Sequence, residues 1–207
     1  MLSISGMSVI LALETTSEIC AVALGTAENY VLESQHAPRQ HNKRILPMVD
    51  AVCASLGIEQ QDIACVAFSA GPGSFTGVRL GAAVAQGVAA GITAQIYCAP
   101  TSLCMGERLY RTSLRTGEYT VQRTSRRDLV YEARLRHDGK QCGFVVSDQL
   151  VKQGELVSDY PIFHDTVVPL CAYDVLLLAS VHESEWQSPA YALPIYVEGD
   201  HPWQPVR

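Results

Sequence analysis

Ser69-Ala70-Gly71-Pro72-Gly73-Ser74-Phe75-Thr76-Gly77-Val78-Arg79 carries a strand into a glycine-rich turn and on into a helix. The apolar run Ala64 to Ala70 predicts a buried strand, and Ser74 to Ala90 a helix with Ser74 as its N-cap. Backbone N–H groups at such a junction can cradle an anion, which makes Gly71, Gly73 and Ser74 candidate nucleotide-facing residues. The named phosphate and nucleophile motifs are not met. No Lys completes a Walker A loop, Thr76 replaces the last glycine of G-x-G-x-x-G, and Pro72 and Thr76 stand where G-x-S-x-G needs glycines. A tight turn shaped by glycine and capped by Ser74 explains the stretch more simply than phosphate binding does.

Outward from this junction, Val9 to Leu13, Cys20 to Leu24 and Tyr30 to Ser34 read as a three-strand meander. From Asn42 the period changes: Ile45, Leu46, Val49, Val52, Cys53 and Leu56 recur at helical spacing until Gly57. Gln95 to Ala99 is a further strand, so the order is β-β-β-α-β-α-β. That order predicts an α/β layer, a mixed sheet with helices on its faces. The second half is less legible. Thr120 to Thr124, Leu129 to Leu135 and Phe144 to Val146 read as strands, Cys171 to His182 as a helix, and Pro189 to Val197 as a closing extended segment. A break near Pro100 to Gly106 divides the chain into residues 1–102 and 103–207, and two comparable halves are consistent with an old duplication.

With 207 residues, 48% of them hydrophobic and 17% charged, and a mean hydropathy of +0.10, the chain has enough apolar surface for a real core and is not a disordered segment. A net charge of -6 supplies no global field to gather nucleic acid, so any such contact must be local or borrowed from a partner. Seven cysteines without a C-x-x-C pair read as small buried hydrophobes in a reducing compartment. The start lacks a basic n-region, and neither Ser74 to Gly91, which contains Arg79 and Gln86, nor Val175 to Val181 reads as a membrane span. The expected location is the cytoplasm.

Across Ser74 to Gly91 the only strongly polar side chains are Arg79 and Gln86, seven apart on nearly one face. Gly77 with Gly81, and Gly87 with Gly91, are spaced to let another backbone approach. A helix apolar nearly all round lies deep in a core, or is buried on one side by its sheet and on the other by a second chain. Both arrangements suit this sequence. In the second, His41-Asn42-Lys43-Arg44 would form the polar rim.

Four segments in this order, Ile10-Leu11-Ala12-Leu13-Glu14-Thr15-Thr16, Cys20 to Leu24, His41-Asn42-Lys43-Arg44-Ile45-Leu46-Pro47-Met48 and the Gly71 to Arg79 stretch, resemble the bacterial TsaB (YeaZ) family of tRNA threonylcarbamoyladenosine biosynthesis. The likeness covers residues 7 to about 102 and leaves Met1 to Gly6 as an extension. It implies an actin/hexokinase-like (ASKHA, ribonuclease H-like) fold of two related halves. It also implies a non-catalytic scaffold for TsaD, the transferase that modifies the adenosine beside the anticodon, with a homodimer when TsaD is absent. Position by position, the resemblance places the partner contact on Arg44, Ile45, Leu46 and Val49 of the first helix and on Phe75, Val78, Arg79, Ala82, Ala83 and Gln86 of the second. It implies no catalytic residue, metal or cofactor of the chain's own; ATP/ADP and Mg would belong to the assembled complex, and tRNA would be reached through it. Glu14 stands where most relatives carry an Asp, which in true members of the ATPase fold binds the nucleotide's metal, and joins the nucleotide-facing candidates on that ground. Thr124-Ser125-Arg126 replaces Asp-Ala-Arg, and the motif at Pro194 to Glu198 departs from Pro-x-Tyr-(Leu/Val)-Arg. These departures bear on contacts with nucleotide and with the ATPase TsaE.

Other constellations are weak. The six histidines form no metal-binding pair. Glu14 with Glu18 reads as a solvated turn rather than an acid–base pair, and Cys98 and Cys104 as packing residues. Between Arg108 and Arg136, eight arginines face three acids, which is either a solvated strand face or a tRNA-phosphate contact through residues such as Arg123, Arg126 and Arg127. The alternative function is a self-sufficient ATP hydrolase or peptidase of the same fold, which would need several polar groups converging in one pocket.

Overall fold

The computed structural model describes residues 8–126, 128–154 and 158–197. The extension Met1 to Gly6, Arg127 and Glu198 lie outside the described residues. Five strands form the first sheet: β1 (Val9–Glu14), β2 (Ile19–Gly25), β3 (Tyr30–His36), β4 (Ile63–Gly71) and β5 (Gln95–Pro100), in the order β3-β2-β1-β4-β5. β1, β2 and β3 pair antiparallel, whereas β4 is parallel to β1 and β5 to β4. The parallel pairs need crossovers, supplied by α1 (His41–Leu56) and α2 (Phe75–Ile92).

Strand alternation explains why both faces are covered. Leu11, Leu13, Val22, Leu24, Val66 and Phe68 point to one face and pack beneath α1 and α2. Their neighbours Ile10, Ala12, Ala21, Ala23 and Ala67 point to the other, where α4 (Ala172–Val181) lies across β1, β2 and β4. The small residues on that side admit a helix as apolar as Val175, Leu176 and Leu178 make it. A sheet buried on both faces accounts for the unbroken apolar runs of the sequence.

The second sheet holds β6 (Gly117–Thr124), β7 (Leu129–His137), β8 (Cys142–Lys152) and β9 (Ile162–His164) in the order β8-β7-β6-β9, antiparallel except for the parallel β6/β9 pair. Two mixed sheets with flanking helices make this the actin/hexokinase-like, ribonuclease H-like α/β fold. Three local expectations are corrected. The supposed break at Pro100 to Gly106 is the start of α3 (Thr101–Ser113), which buries Leu103, Cys104, Met105 and Leu109 between the sheets. Phe144 to Val146 is part of an eleven-residue strand whose exposed alternation hid its length, and β9 is too short to leave a periodic signal. Pro189 to Val197 opens with a 3-10 turn at Pro189–Tyr191 and forms no strand.

One buried charge ties α4 to α3. The Asp174 carboxylate is fully buried, accepts from Arg111 Nε at 3.1 Å and Nη2 at 2.8 Å, and has Arg108 at 3.8 Å. Burial outweighs both guanidinium groups and pushes its pKa up to about 6 from 3.8. The folded state therefore holds the proton more tightly than the unfolded chain between those values, so stability falls as pH rises through about 4 to 6. Asp174→Asn is expected to flatten that slope, read as urea midpoints measured at half-unit steps across the window.

Candidate functional site

The N-terminus of α2 is fixed by its own cap and by the turn between β1 and β2. Ser74 Oγ accepts the Gly77 N–H at 3.3 Å, the capping role expected of it, and the Ser74 N–H donates to Thr16 O at 3.0 Å. The helix thereby starts against the β1–β2 turn. A Cβ at Gly77 would lie 2.0 Å from Thr15 O, and one at Gly81 2.7 Å from Thr15 Oγ1. What this first glycine pair admits is thus Thr15 of the chain's own β1–β2 turn. Gly87 and Gly91 differ, since nothing lies within 4 Å of the Cβ that either lacks.

The outer face of α2 is open. Thr76, Arg79, Ala83, Gly87 and Ala90 are exposed and follow one another at helical spacing, while Gly77, Val78, Gly81, Ala82, Ala85 and Ala89 are buried. By length and composition α2 could cross a membrane; here its buried side packs along β4. On α1 the exposed residues include Arg44 and Leu46, the latter 52% exposed. Phe75 is 44% exposed and carries the Arg79 guanidinium over its ring at 3.2 Å.

Five of the ten residues expected at a partner contact are therefore on the surface: Arg44, Leu46, Phe75, Arg79 and Ala83. Ile45, Val49, Val78 and Ala82 are not. They are at most 5% exposed; Ile45, Val49 and Ala82 belong to the packing between the helices and the first sheet, and Val78 faces the Gly71 turn. An apolar stripe read from sequence does not say which of two neighbours it serves, and here the sheet takes it. Gln86, half-buried, donates to Pro189 O at 3.3 Å and Ala192 O at 2.7 Å, so its amide is spent within the chain.

The nucleotide-facing candidates are likewise engaged. Glu14 is completely buried; its Oε1 accepts from the Thr16 N–H and hydroxyl, each at 2.6 Å, and its Oε2 from the Ser69 hydroxyl. Gly71 donates its N–H to Thr101 Oγ1 at 3.0 Å and faces Ile195 O. Over Gly73 sits Arg123 from β6, 2% exposed, whose Nη1 donates to Pro72 O and whose Nη2 donates to Thr16 Oγ1 at 3.1 Å. A Cβ at Gly73 would meet that guanidinium at 3.0 Å. Burial lowers the pKa of Arg123, and the carboxylates of Glu14, Asp165 and Asp148 pull it back up. An arginine of the second half thus occupies the turn where an anion would sit, and both oxygens of the acid that would hold a metal are bonded. The residues present do not fit a nucleotide–metal group at this turn.

A cleft of ≈ 960 Å³ remains between the halves, with Thr16, Glu18, His36, Arg39, His41 and Asp165 among its lining residues. Glu18 lies beside His36 at 3.2 Å, and Asp165 accepts from the Thr124 N–H and hydroxyl. Among the described residues no three His, Cys, Asp or Glu side chains gather as a metal site. Cys104 is fully buried and Cys98 half-buried, and burial raises both thiols. The arginine cluster is dispersed: Arg108 and Arg111 meet Asp174, Arg134 and Arg136 meet Glu118, Arg115 stacks on Phe163, and Arg123 is interior. Arg123 is thus not available to tRNA phosphates. Its clamp is the site feature that sequence missed, because one arginine among eight in a run carries no mark of burial.

The family model described as TsaD, tRNA N6-adenosine threonylcarbamoyltransferase, matches residues 28–163. The Haemophilus influenzae protein named tRNA threonylcarbamoyladenosine biosynthesis protein TsaB is 48% identical over 82 residues, or 40% of this chain and 35% of that one. The Escherichia coli protein of the same name is 39% identical over 102 residues, or 49% of this chain and 44% of that one. The chain thus spans less than half the length of these two curated relatives. YeaZ from Pseudomonas aeruginosa superposes with a TM-score of 0.81 at 25% identity, covering 92% of this chain and 100% of that chain.

Proposed function

Because this chain belongs to the tRNA N6-adenosine threonylcarbamoyltransferase (TsaD) family, and within it to the TsaB (YeaZ) group, we propose that it serves tRNA threonylcarbamoyladenosine biosynthesis as a non-catalytic subunit docking on a TsaD-type catalytic chain. The observation that carries this proposal is the outer face of α2. Ala83, Gly87 and Ala90 leave a shallow apolar track in which a partner helix could approach closely, with Arg79 on the same helix and Leu46 on α1 also exposed. Closing such a track gains the burial of apolar surface, at roughly 25 cal/mol per Å². In the absence of the catalytic chain, a second copy would use the same face. The silent role is supported by Glu14 and Arg123, which leave the Gly71 to Gly73 turn without an open ligand position. TsaE, tRNA, ATP/ADP and Mg enter this proposal through the assembled complex, in the cytoplasm, and not through a site of this chain.

Ala83→Arg tests the proposal directly. The position is exposed, so the fold should keep its melting temperature, while an arginine standing on the track should hold a partner helix away. Titration calorimetry of the full chain with the TsaD-type subunit should show tight binding by the wild type and a loss of about a hundredfold or more in the variant. Equal affinities would overturn it.

A further inference from the structure

Beside the two helices runs a third element, the segment from Ser188 to Tyr196. It leaves the edge of β5, where Gln187 and Ile96 exchange backbone hydrogen bonds at 2.8 and 2.9 Å. It then follows α2 back to the glycine turn. Gln86 holds its carbonyls at Pro189 and Ala192, the Ile195 N–H donates to Ala70 O at 2.8 Å, and Ala192 is completely buried. Between these anchors Tyr191, Leu193 and Tyr196 are 72%, 66% and 48% exposed.

The helical wheel places this strap relative to the open face. At 100° per residue, Gln86, Phe75 and Arg79 lie to one side of Ala83, and Leu80 and Val84 to the other. The first side is the strap's: Gln86 bonds to it, and Arg79 lies 5.1 Å from the Tyr196 ring. α1, packed over β2 and β3, lies on the second. The outer layer is therefore α1, α2 and strap side by side, with the Ala83 track in the middle.

Position decides what the strap is for: it runs along the open side of α2, is held to it by Gln86, and brings Tyr196 within 5.1 Å of Arg79 at the border of the Ala83 track. The exposed tyrosines and leucine of the strap adjoin the track and supply apolar surface of the kind that anchors interfaces.

We propose that the strap is the third docking element of this face, with Tyr191, Leu193 and Tyr196 packing against the TsaD-type subunit alongside α2. The proposal rests on the docking role assigned to α2 above. It also specifies the partner's chemistry. Arg79 lies over Phe75 and beside Tyr196, and its Nη1 donates to Phe75 O at 3.1 Å. Its remaining donors call for a carboxylate or carbonyl acceptor within an otherwise apolar partner surface.

The test is the double variant Tyr191→Asp/Leu193→Asp in the full chain, titrated with the TsaD-type subunit beside wild type and Ala83→Arg. Both side chains are largely exposed, so the melting temperature should not move; Tyr191→Ala/Leu193→Ala serves as a second reading if it does. Expected is a loss of affinity of about tenfold or more for the acidic pair, and a smaller loss for the alanine pair. Strap variants that bind within about twofold of wild type, while Ala83→Arg fails to bind, would remove the strap from the interface and leave the α2 docking reading intact. Ala83→Arg binding as wild type would end both.

Discussion

Arg123→Leu is expected to destabilise the fold by about 3–5 kcal/mol, the range for removing one partner of a buried charged arrangement. The guanidinium is 2% exposed and is the means by which β6 of the second sheet grips the first half. Its removal takes the side-chain donor from Pro72 O, leaves Thr16 Oγ1 with its bond to Glu14 alone, and leaves the buried Glu14 carboxylate without its nearby positive charge. Each loss costs free energy, because these groups are almost wholly withdrawn from solvent. Leucine returns some apolar contact but no donor. Arg123→Lys should recover only part of the loss, since one ammonium cannot reproduce a planar fork that reaches Pro72 and Thr16 together. The decisive arm is Glu14→Gln/Arg123→Leu. With the acid neutralised, no uncompensated charge is left, so the double variant should lose less than the sum of the single losses in urea denaturation. Strict additivity would mean that Arg123 serves packing alone.

The clamp also marks how far this sequence can be read. β1 to β5, α1 and α2 were legible because unbroken apolar runs alternate with helical stripes, and Ser74 announced its cap. α3 was not, since Gly106 and Glu107 interrupt its apolar pattern; Gly106 is needed where a Cβ would meet Cys142 Sγ, and Glu107 accepts the Cys142 N–H. Both depend on a strand 35 residues away, which local reading cannot see. The surface of α2 was half legible. Sequence marked the helix as apolar nearly all round but could not divide its small residues between the Thr15 backbone, the strap and solvent. Ile45, Val49, Val78 and Ala82 are put on the partner side by the family resemblance, and the structure buries all four within the chain.

The glycines of α2 turn that division into opposite expectations on one helix. By intrinsic propensity, alanine in place of an interior helical glycine should stabilise by about 1 kcal/mol. Gly87→Ala should show this gain, because nothing lies within 4 Å of the added carbon. Gly77→Ala should reverse it. Its Cβ would stand 2.0 Å from Thr15 O and 3.0 Å from Thr15 C, both backbone atoms of the β1–β2 turn. That turn cannot yield cheaply: Thr15 Oγ1 donates to Gly77 O at 2.8 Å, Thr16 O accepts from Ser74, and Thr16 bonds Glu14 and Arg123. Relief must come from moving the helix start outward, which breaks the cap and loosens the clamp together. A net loss of about 3 kcal/mol or more is expected, above the usual overpacking cost, as a drop in urea midpoint at constant slope. Two Gly→Ala changes ten residues apart should thus move stability in opposite directions. If Gly77→Ala were neutral or stabilising, the close seat of α2 on the β1–β2 turn would be wrong. The docking face would then lose the fixed helix start that sets its height above the sheet.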